Sequence, residues 1–272
     1  MADTSIEWAD RVWNPVRGCA IVSPGCVRCY AMKQAHRFSG KGQPYEGLTK
    51  MTKAGPQWTG KARAVPEMLA LPVRWKKPSR IFVNSMSDLF HEDVPDAFIK
   101  EAFTVMAIAK RHVFQVLTKR PKRMRDLVSS WRADDMYDFW YAFDDGAREV
   151  EAWPLPNVHL GVSCENQQTA DERIPLLLQT PAAVRWVSAE PLLGPVTLNP
   201  WLLSEHGRRH IGVQPGLSWV VVGGESTRER EAREQREIDA AIVAKREAIA
   251  EARRQAEAQA HRPVPFRQRR MG

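Results

Sequence analysis

Cys19, Cys26 and Cys29 stand in a C-x6-C-x2-C arrangement within the stretch 14–31, and the 272-residue chain holds only four cysteines in all. Gly18, Pro24 and Gly25 lie beside or between them, so the backbone can curl and turn several sulfurs toward one point. Tight cysteine spacing in a flexible loop, with almost no cysteine elsewhere, reads as metal ligation rather than packing. Three thiolates leave a metal one ligand short. A zinc ion would need a fourth protein ligand, or would leave that position open to water. A [4Fe-4S] cluster on three cysteines keeps one iron free, the arrangement by which a radical enzyme chelates S-adenosylmethionine (SAM).

Those sulfurs need a scaffold, and the rest of the chain supplies the pattern for one. Residues 5–13 carry Ile6, Trp8, Val12 and Trp13 and lead into the cysteine loop as a strand or edge segment. A helix follows over 30–38, which sets a helix N-terminus beside the thiolates. Residues 39–79 are rich in Gly, Pro, Lys and Trp and read as an elaborated loop, with a short helix at 66–71. Short apolar runs at 80–84, 112–117, 158–162, 184–187 and 219–222 then read as buried strands. Helical patterns at 95–110, 121–131 and 167–178 lie between them. Residues 131–153 form an acidic, aromatic insertion. Short continuous apolar strands separated by helices signal a parallel sheet, here an α/β fold of the partial, open TIM-like (βα)6 barrel type.

Each of these strands runs into small or polar residues. They are Asn84-Ser-Met-Ser-Asp88, Thr118-Lys-Arg120, Ser163-Cys-Glu-Asn166, Ser188-Ala-Glu-Pro191 and Gly223-Gly-Glu-Ser226. Active sites of α/β barrels lie at the C-terminal ends of the strands. Turn chemistry accounts for Ser, Asn and Gly there, but not for a repeated carboxylate. The strand ends are therefore expected to line one polar cavity, with the cysteine loop over its mouth.

The totals set outer bounds. A hydrophobic content of 43% with 26% charged residues is that of an ordinary globular protein. No run of about 18 apolar residues exists, so no membrane span is expected. The first residues lack a signal peptide's basic and apolar regions, which predicts a cytoplasmic protein whose clustered thiols bind metal rather than form disulfides. The net charge of +8 favours contact with polyanions, nucleic acid included, although solvated basic surface is the commoner meaning of such a charge. Residues 227–261, rich in Ala, Glu, Arg and Gln with a thin stripe of Ile238, Ile242 and Ile249, read as one long charged helix ending in a basic tail. That gives two domains, 1–226 and 227–272.

Several motifs taken together resemble a known family. They are Trp13-Asn-Pro-x-x-Gly-Cys, Cys-x-x-Cys-Tyr-Ala, Met86-Ser-Asp-Leu-Phe90, Leu117-Thr-Lys-Arg-Pro121, Leu160-Gly-Val-Ser, Ser188-x-Glu-Pro-Leu192 and Gly223-Gly-Glu-Ser. The chain is similar over 5–226 to a phage- and prophage-encoded three-cysteine, radical-SAM-like family catalogued as a domain of unknown function. The resemblance implies a [4Fe-4S] cluster on Cys19, Cys26 and Cys29 with SAM on the fourth iron. Reduction by an electron donor would then give a 5′-deoxyadenosyl radical that abstracts hydrogen from a substrate. The usual radical SAM spacing is C-x3-C-x2-C, and the Gly-Gly-Glu that holds the SAM amino group usually follows the second strand rather than the last.

On this reading Ser85, Asp88, Thr118 and Lys119 are cofactor contacts, joined by Gly223, Gly224 and Glu225. Glu165 and Glu190 are candidate catalytic residues that contact substrate or SAM, as Glu225 also would. Cys164 is a candidate hydrogen-atom donor, although packing is the commoner use of a strand-end cysteine. A nucleotide or nucleic-acid substrate suits the charge, but no residue here reads a base. The alternative is a zinc-bearing nucleic-acid-binding module without catalysis, its site closed by His36 or Cys164. His36 would give C-x6-C-x2-C-x6-H, which matches no common finger spacing. A zinc hydrolase would need histidines at strand ends, and there are none.

Overall fold

The computed structural model describes residues 4, 6–132, 152–202, 216–224 and 251. The chain divides into two units, 1–224 and 225–272, and of the second only Glu251 is described. The long charged helix expected over 227–261, Glu251 apart, and most of the acidic insertion lie outside the described residues. In chain order the elements are β1 (Arg11–Trp13), β2 (Val16–Gly18), α1 (Tyr30–His36), β3 (Thr49–Thr52), β4 (Gly55–Trp58), β5 (Ala62–Ala64) and α2 (Leu71–Arg74). There follow β6 (Arg80–Val83), α3 (Asp96–Ile108), β7 (Val113–Thr118), α4 (Pro121–Ser130), β8 (Val158–Ser163), α5 (Gln167–Gln179), β9 (Val184–Leu192) and β10 (Trp219–Gly224).

Six strands form one curled, open sheet in the order β1-β6-β7-β8-β9-β10, every neighbouring pair parallel. Each lies beside its predecessor in this series, as in a barrel that has not closed. This is the partial TIM-like (βα)6 arrangement that the apolar runs imply. Alternation along the strands separates two faces. Ile81, Val83, Phe114, Val116, Leu160 and Val162 point toward the helices and join one core with Ile99, Phe103, Met106 and Ile174. The opposite face carries Phe82, Gln115, Gly161 and Trp186, and it is filled by aromatic rings. Trp186 stacks on Trp219 at 4.3 Å, and Trp8 meets both Trp186 and Phe82 edge-on. Gly161 makes this possible, because a Cβ there would lie 2.4 Å from the Trp186 indole.

The helices start where their sequences say they should. Pro121 opens α4 at a position that needs no N–H donor. Asn166 and Thr169 form a reciprocal capping box at the head of α5. The stretch 39–79 differs from the expected loop. It holds the β3–β4 hairpin, with Gly55 at φ 102° in its turn, and the strand β5, which pairs antiparallel with β2. A 3-10 turn at Pro66–Met68 and the short α2 replace the expected helix at 66–71. The hairpin was hidden because its residues, Thr-Lys-Met-Thr and Gly-Pro-Gln-Trp, show no apolar alternation.

Candidate cofactor-binding site

The cysteine loop runs from β2 to α1 and is held at its start and end by the segment after β6 and in its middle by the residue two places beyond β8. At its start, Gly18 forms a bridge with Ser87, and the Ser87 hydroxyl donates to the Val16 carbonyl at 2.7 Å. Gly18 sits at φ 85°, and a Cβ there would lie 2.3 Å from the Lys61 carbonyl oxygen, so the residue before Cys19 must be glycine. At its end, the Tyr30 hydroxyl donates to the Ser85 carbonyl at 2.7 Å. In its middle, the Gly25 N–H donates to Oε1 of Glu165 at 3.3 Å, and the Ser23 hydroxyl also bonds that carboxylate.

Cys26 is buried, while Cys19 and Cys29 are half-buried and pack against one apolar cluster with Met86, Met32 and Trp58. Burial pushes the Cys19 thiol up to about 12; Asp88 adds to the rise and Arg120 opposes it. Burial raises Cys29 as well. Without a cation such thiols stay protonated at neutral pH, and a bound metal supplies the charge that stabilises their thiolates. Three thiols in one loop are the donor chemistry of an iron–sulfur group, but only Cys19 and Cys29 share the apolar wall, and Cys26 does not join it. Among the described residues, no three His, Cys, Asp or Glu side chains are grouped to hold one metal ion.

Beneath the loop, polar side chains link one strand end to the next. Asp88, after β6, accepts from the Thr118 hydroxyl at 2.8 Å, the Lys119 N–H at 3.1 Å and Arg120 Nη1 at 3.1 Å. Lys119, after β7, donates through Nζ to the Ser163 hydroxyl at the end of β8 and lies 3.7 Å from Glu165. The Ser163 hydroxyl in turn donates to the Glu190 carbonyl at 3.2 Å. In β9 the Ser188 hydroxyl donates to the Glu190 carboxylate at 3.1 Å. That carboxylate lies against β10, where a Cβ on Gly223 would come within 2.3 Å of Oε1. Hydrogen bonds therefore run from the end of β6 through β7 and β8 to Glu190 in β9, and Glu190 lies against β10.

The anticipated site residues divide by accessibility. Ser85, Lys119 and Glu190 are only partly buried, and Gly224 has open space around it. Thr118 and Asp88 are buried and bonded to each other. Glu165 is wholly buried, with Oε2 3.0 Å from Arg173 Nη1. Burial alone would raise its pKa, but Lys119, Ser23, Arg173 and the Gly25 N–H together hold it below the ordinary glutamate value. Cys164 lies in the helix-side core, and burial lifts its thiol to about 12. Glu225 lies outside the described residues. His36 has its Nδ1 2.9 Å from the Thr49 hydroxyl and 3.3 Å from the Ser39 hydroxyl.

Sequence reasoning missed Ser23 and Arg173, and it named Gly25 only for the curl of the loop and Asn84 only as a strand-end residue. Gly25 carried a usable signal, since a glycine between Pro24 and Cys26 implies close approach of another group. Arg173 carried none, being one charged residue of a helix. Asn84 adopts φ 60°, and neither of its side-chain polar atoms has a partner although the residue is buried.

The chain belongs to the family described as Protein of unknown function (DUF5131), whose profile matches residues 3–251. No curated protein matches the chain. Among solved structures it is similar to a spore photoproduct lyase mutant, at 13% identity and a TM-score of 0.36, covering 70% of this chain and 48% of that one. A second spore photoproduct lyase mutant, with bound AdoMet and dinucleoside spore photoproduct, is similar at 12% identity and a TM-score of 0.44, covering 87% of this chain and 63% of that one. The chain thus spans less than two thirds of either structure. Among the described residues, no helix is long and apolar enough to cross a membrane.

Proposed function

We propose that this protein is a radical SAM-type enzyme in which Cys19, Cys26 and Cys29 ligate a [4Fe-4S] cluster that binds SAM through its open iron. The observation that carries the reading is the three-point attachment of a three-cysteine loop to the C-terminal ends of parallel barrel strands. When bound and reduced by a partner electron donor, such a cluster supplies an electron to SAM and opens hydrogen-abstraction chemistry. The chain's own residues position and enclose. Met86, Met32 and Trp58 keep water from one side of the loop. Ser85, Lys119, Glu190 and the Gly223–Gly224 backbone, with Glu225 following, offer SAM and substrate their polar contacts. Asp88 and Thr118 act through Lys119 and Arg120 by fixing their backbone. Burial of Cys164 favours packing over hydrogen donation.

The substrate class proposed is anionic, a nucleotide or nucleic acid, in keeping with the net charge of +8. The zinc-module alternative is weakened by its closing ligands, since His36 is bonded to Thr49 and Cys164 lies in the core. The test is SAM cleavage by the reconstituted protein under a strong reductant. Cys26→Ala is expected to abolish release of 5′-deoxyadenosine with the fold intact. Retained cleavage in that variant would remove Cys26 from the ligand set.

A further inference from the structure

We propose that Glu165 is a positioning residue: it latches the middle of the cysteine loop to the end of β8 and so fixes where Cys26 sits, with Arg173 and Lys119 holding its charge in place. The inference goes beyond the proposed chemistry and stands without it, since every group involved belongs to the protein. The latch has an immobile base. The Glu165 N–H donates to the Thr169 hydroxyl at 3.0 Å, and its carbonyl accepts from the Leu193 N–H at 2.8 Å. Its carboxylate is equally committed. Arg173 Nη1 donates to Oε2 at 3.0 Å, Lys119 Nζ stands 3.7 Å from the same oxygen, and Arg173 Nη1 also donates to the Ser163 carbonyl at 2.6 Å.

What the latch grips is a turn that carries Cys26. The Cys26 N–H donates to the Ser23 carbonyl at 2.9 Å, and the Ser23 hydroxyl lies 3.7 Å from the Cys26 sulfur. The same turn meets Glu165 through Ser23 and the Gly25 N–H, 140 residues apart in sequence for the second pair. The fit is tight at 25, where a Cβ would lie 3.1 Å from the Glu165 carboxyl carbon and 3.2 Å from its Cβ, so Glu165 would have to give way. A carboxylate with no accessible surface and charge partners on two elements is unsuited to exchanging protons with a substrate. It is well suited to holding a loop whose own residues Ile21, Val22 and Val27 remain exposed.

The test follows iodoacetamide alkylation of the full chain stripped of metal, with each cysteine quantified by mass spectrometry and buried Cys164 as the internal standard. Glu165→Ala is expected to raise Cys26 alkylation relative to Cys164 by roughly ten-fold or more, since charge-assisted bonds closing the turn are lost. Glu165→Gln keeps an acceptor for the Gly25 N–H and should give a smaller rise. Gly25→Ala crowds the same contact without unpairing any buried charge, and should also raise Cys26 alkylation. The double variant Gly25→Ala/Glu165→Ala should react no faster than the faster single variant, because both act on one contact. Asp126→Ala, which breaks an exposed ion pair, should match the wild type. Should Glu165→Ala fail to fold by far-UV circular dichroism, Gly25→Ala decides. Unchanged Cys26 reactivity in folded Gly25→Ala, or an equal rise at Cys164, overturns the proposal.

Discussion

The ends of β6 and β8 both hold the cysteine loop, yet they are built in opposite ways. Beyond β8, Glu165 has bonds to its backbone N–H, its carbonyl and both carboxylate oxygens. Beyond β6, Asn84 lies in the left-handed region at φ 60° with both side-chain polar atoms buried and unpartnered. Unpaired buried amide groups are costly, as is a non-glycine residue at positive φ. One terminus is thus a settled anchor, while the other keeps local strain beside Ser85, an expected cofactor contact.

That contrast can be broken from either side. The largest expected effect is at the anchor. Arg173→Ala removes the nearer of two cationic partners of a wholly buried carboxylate and should destabilise the fold by about 3–5 kcal/mol in urea titration. A loss no greater than that of an exposed ion pair would show that Glu165 finds another cation. Gly161→Ala tests the aromatic face of the sheet. Its Cβ would collide with the Trp186 indole, so overpacking of about 1–3 kcal/mol is expected, with Trp fluorescence altered.

Acid sharpens the comparison at the β8 terminus. The Glu165 pKa is depressed in the fold, with burial outweighed by Lys119, Ser23, Arg173 and Gly25. Its contribution is therefore fully present above the unfolded value, 4.5, and is lost as pH falls through the lower folded value. Thermal midpoints of the wild type should drop over that window, and those of Glu165→Gln should drop less steeply. Parallel curves would mean that the anchor is not set by charge. The smallest change is at β6, where Asn84→Gly relieves both the positive φ and the orphaned amide and should raise stability by about 1 kcal/mol. A clear loss instead would mean that Asn84 has partners in solution.

Much of this was legible in the chain because barrel strands buried between layers are short apolar runs with polar ends. The runs at 80–84, 112–117, 158–162, 184–187 and 219–222 became β6 to β10 within a few residues, and β9 and β10 extend further along the same direction. The three-cysteine loop was equally visible, since cysteine spacing is a local signal. The pairing of Gly25 with Glu165 was not, because a contact across 140 residues leaves no trace in either neighbourhood. The same holds for burial. Glu165, Glu190 and Glu225 look alike as strand-end carboxylates, yet Glu165 is sealed beneath the loop and Glu190 lies half-open against Gly223.

The account stands most directly on what the three cysteines hold. Anaerobic reconstitution of the full chain with iron and sulfide, in competition with zinc, followed by elemental analysis of one sample, decides it. The account predicts about four iron and four sulfide per chain and a brown protein absorbing near about 400 nm, all lost together in Cys26→Ala. A colourless protein carrying about one zinc per chain would contradict it.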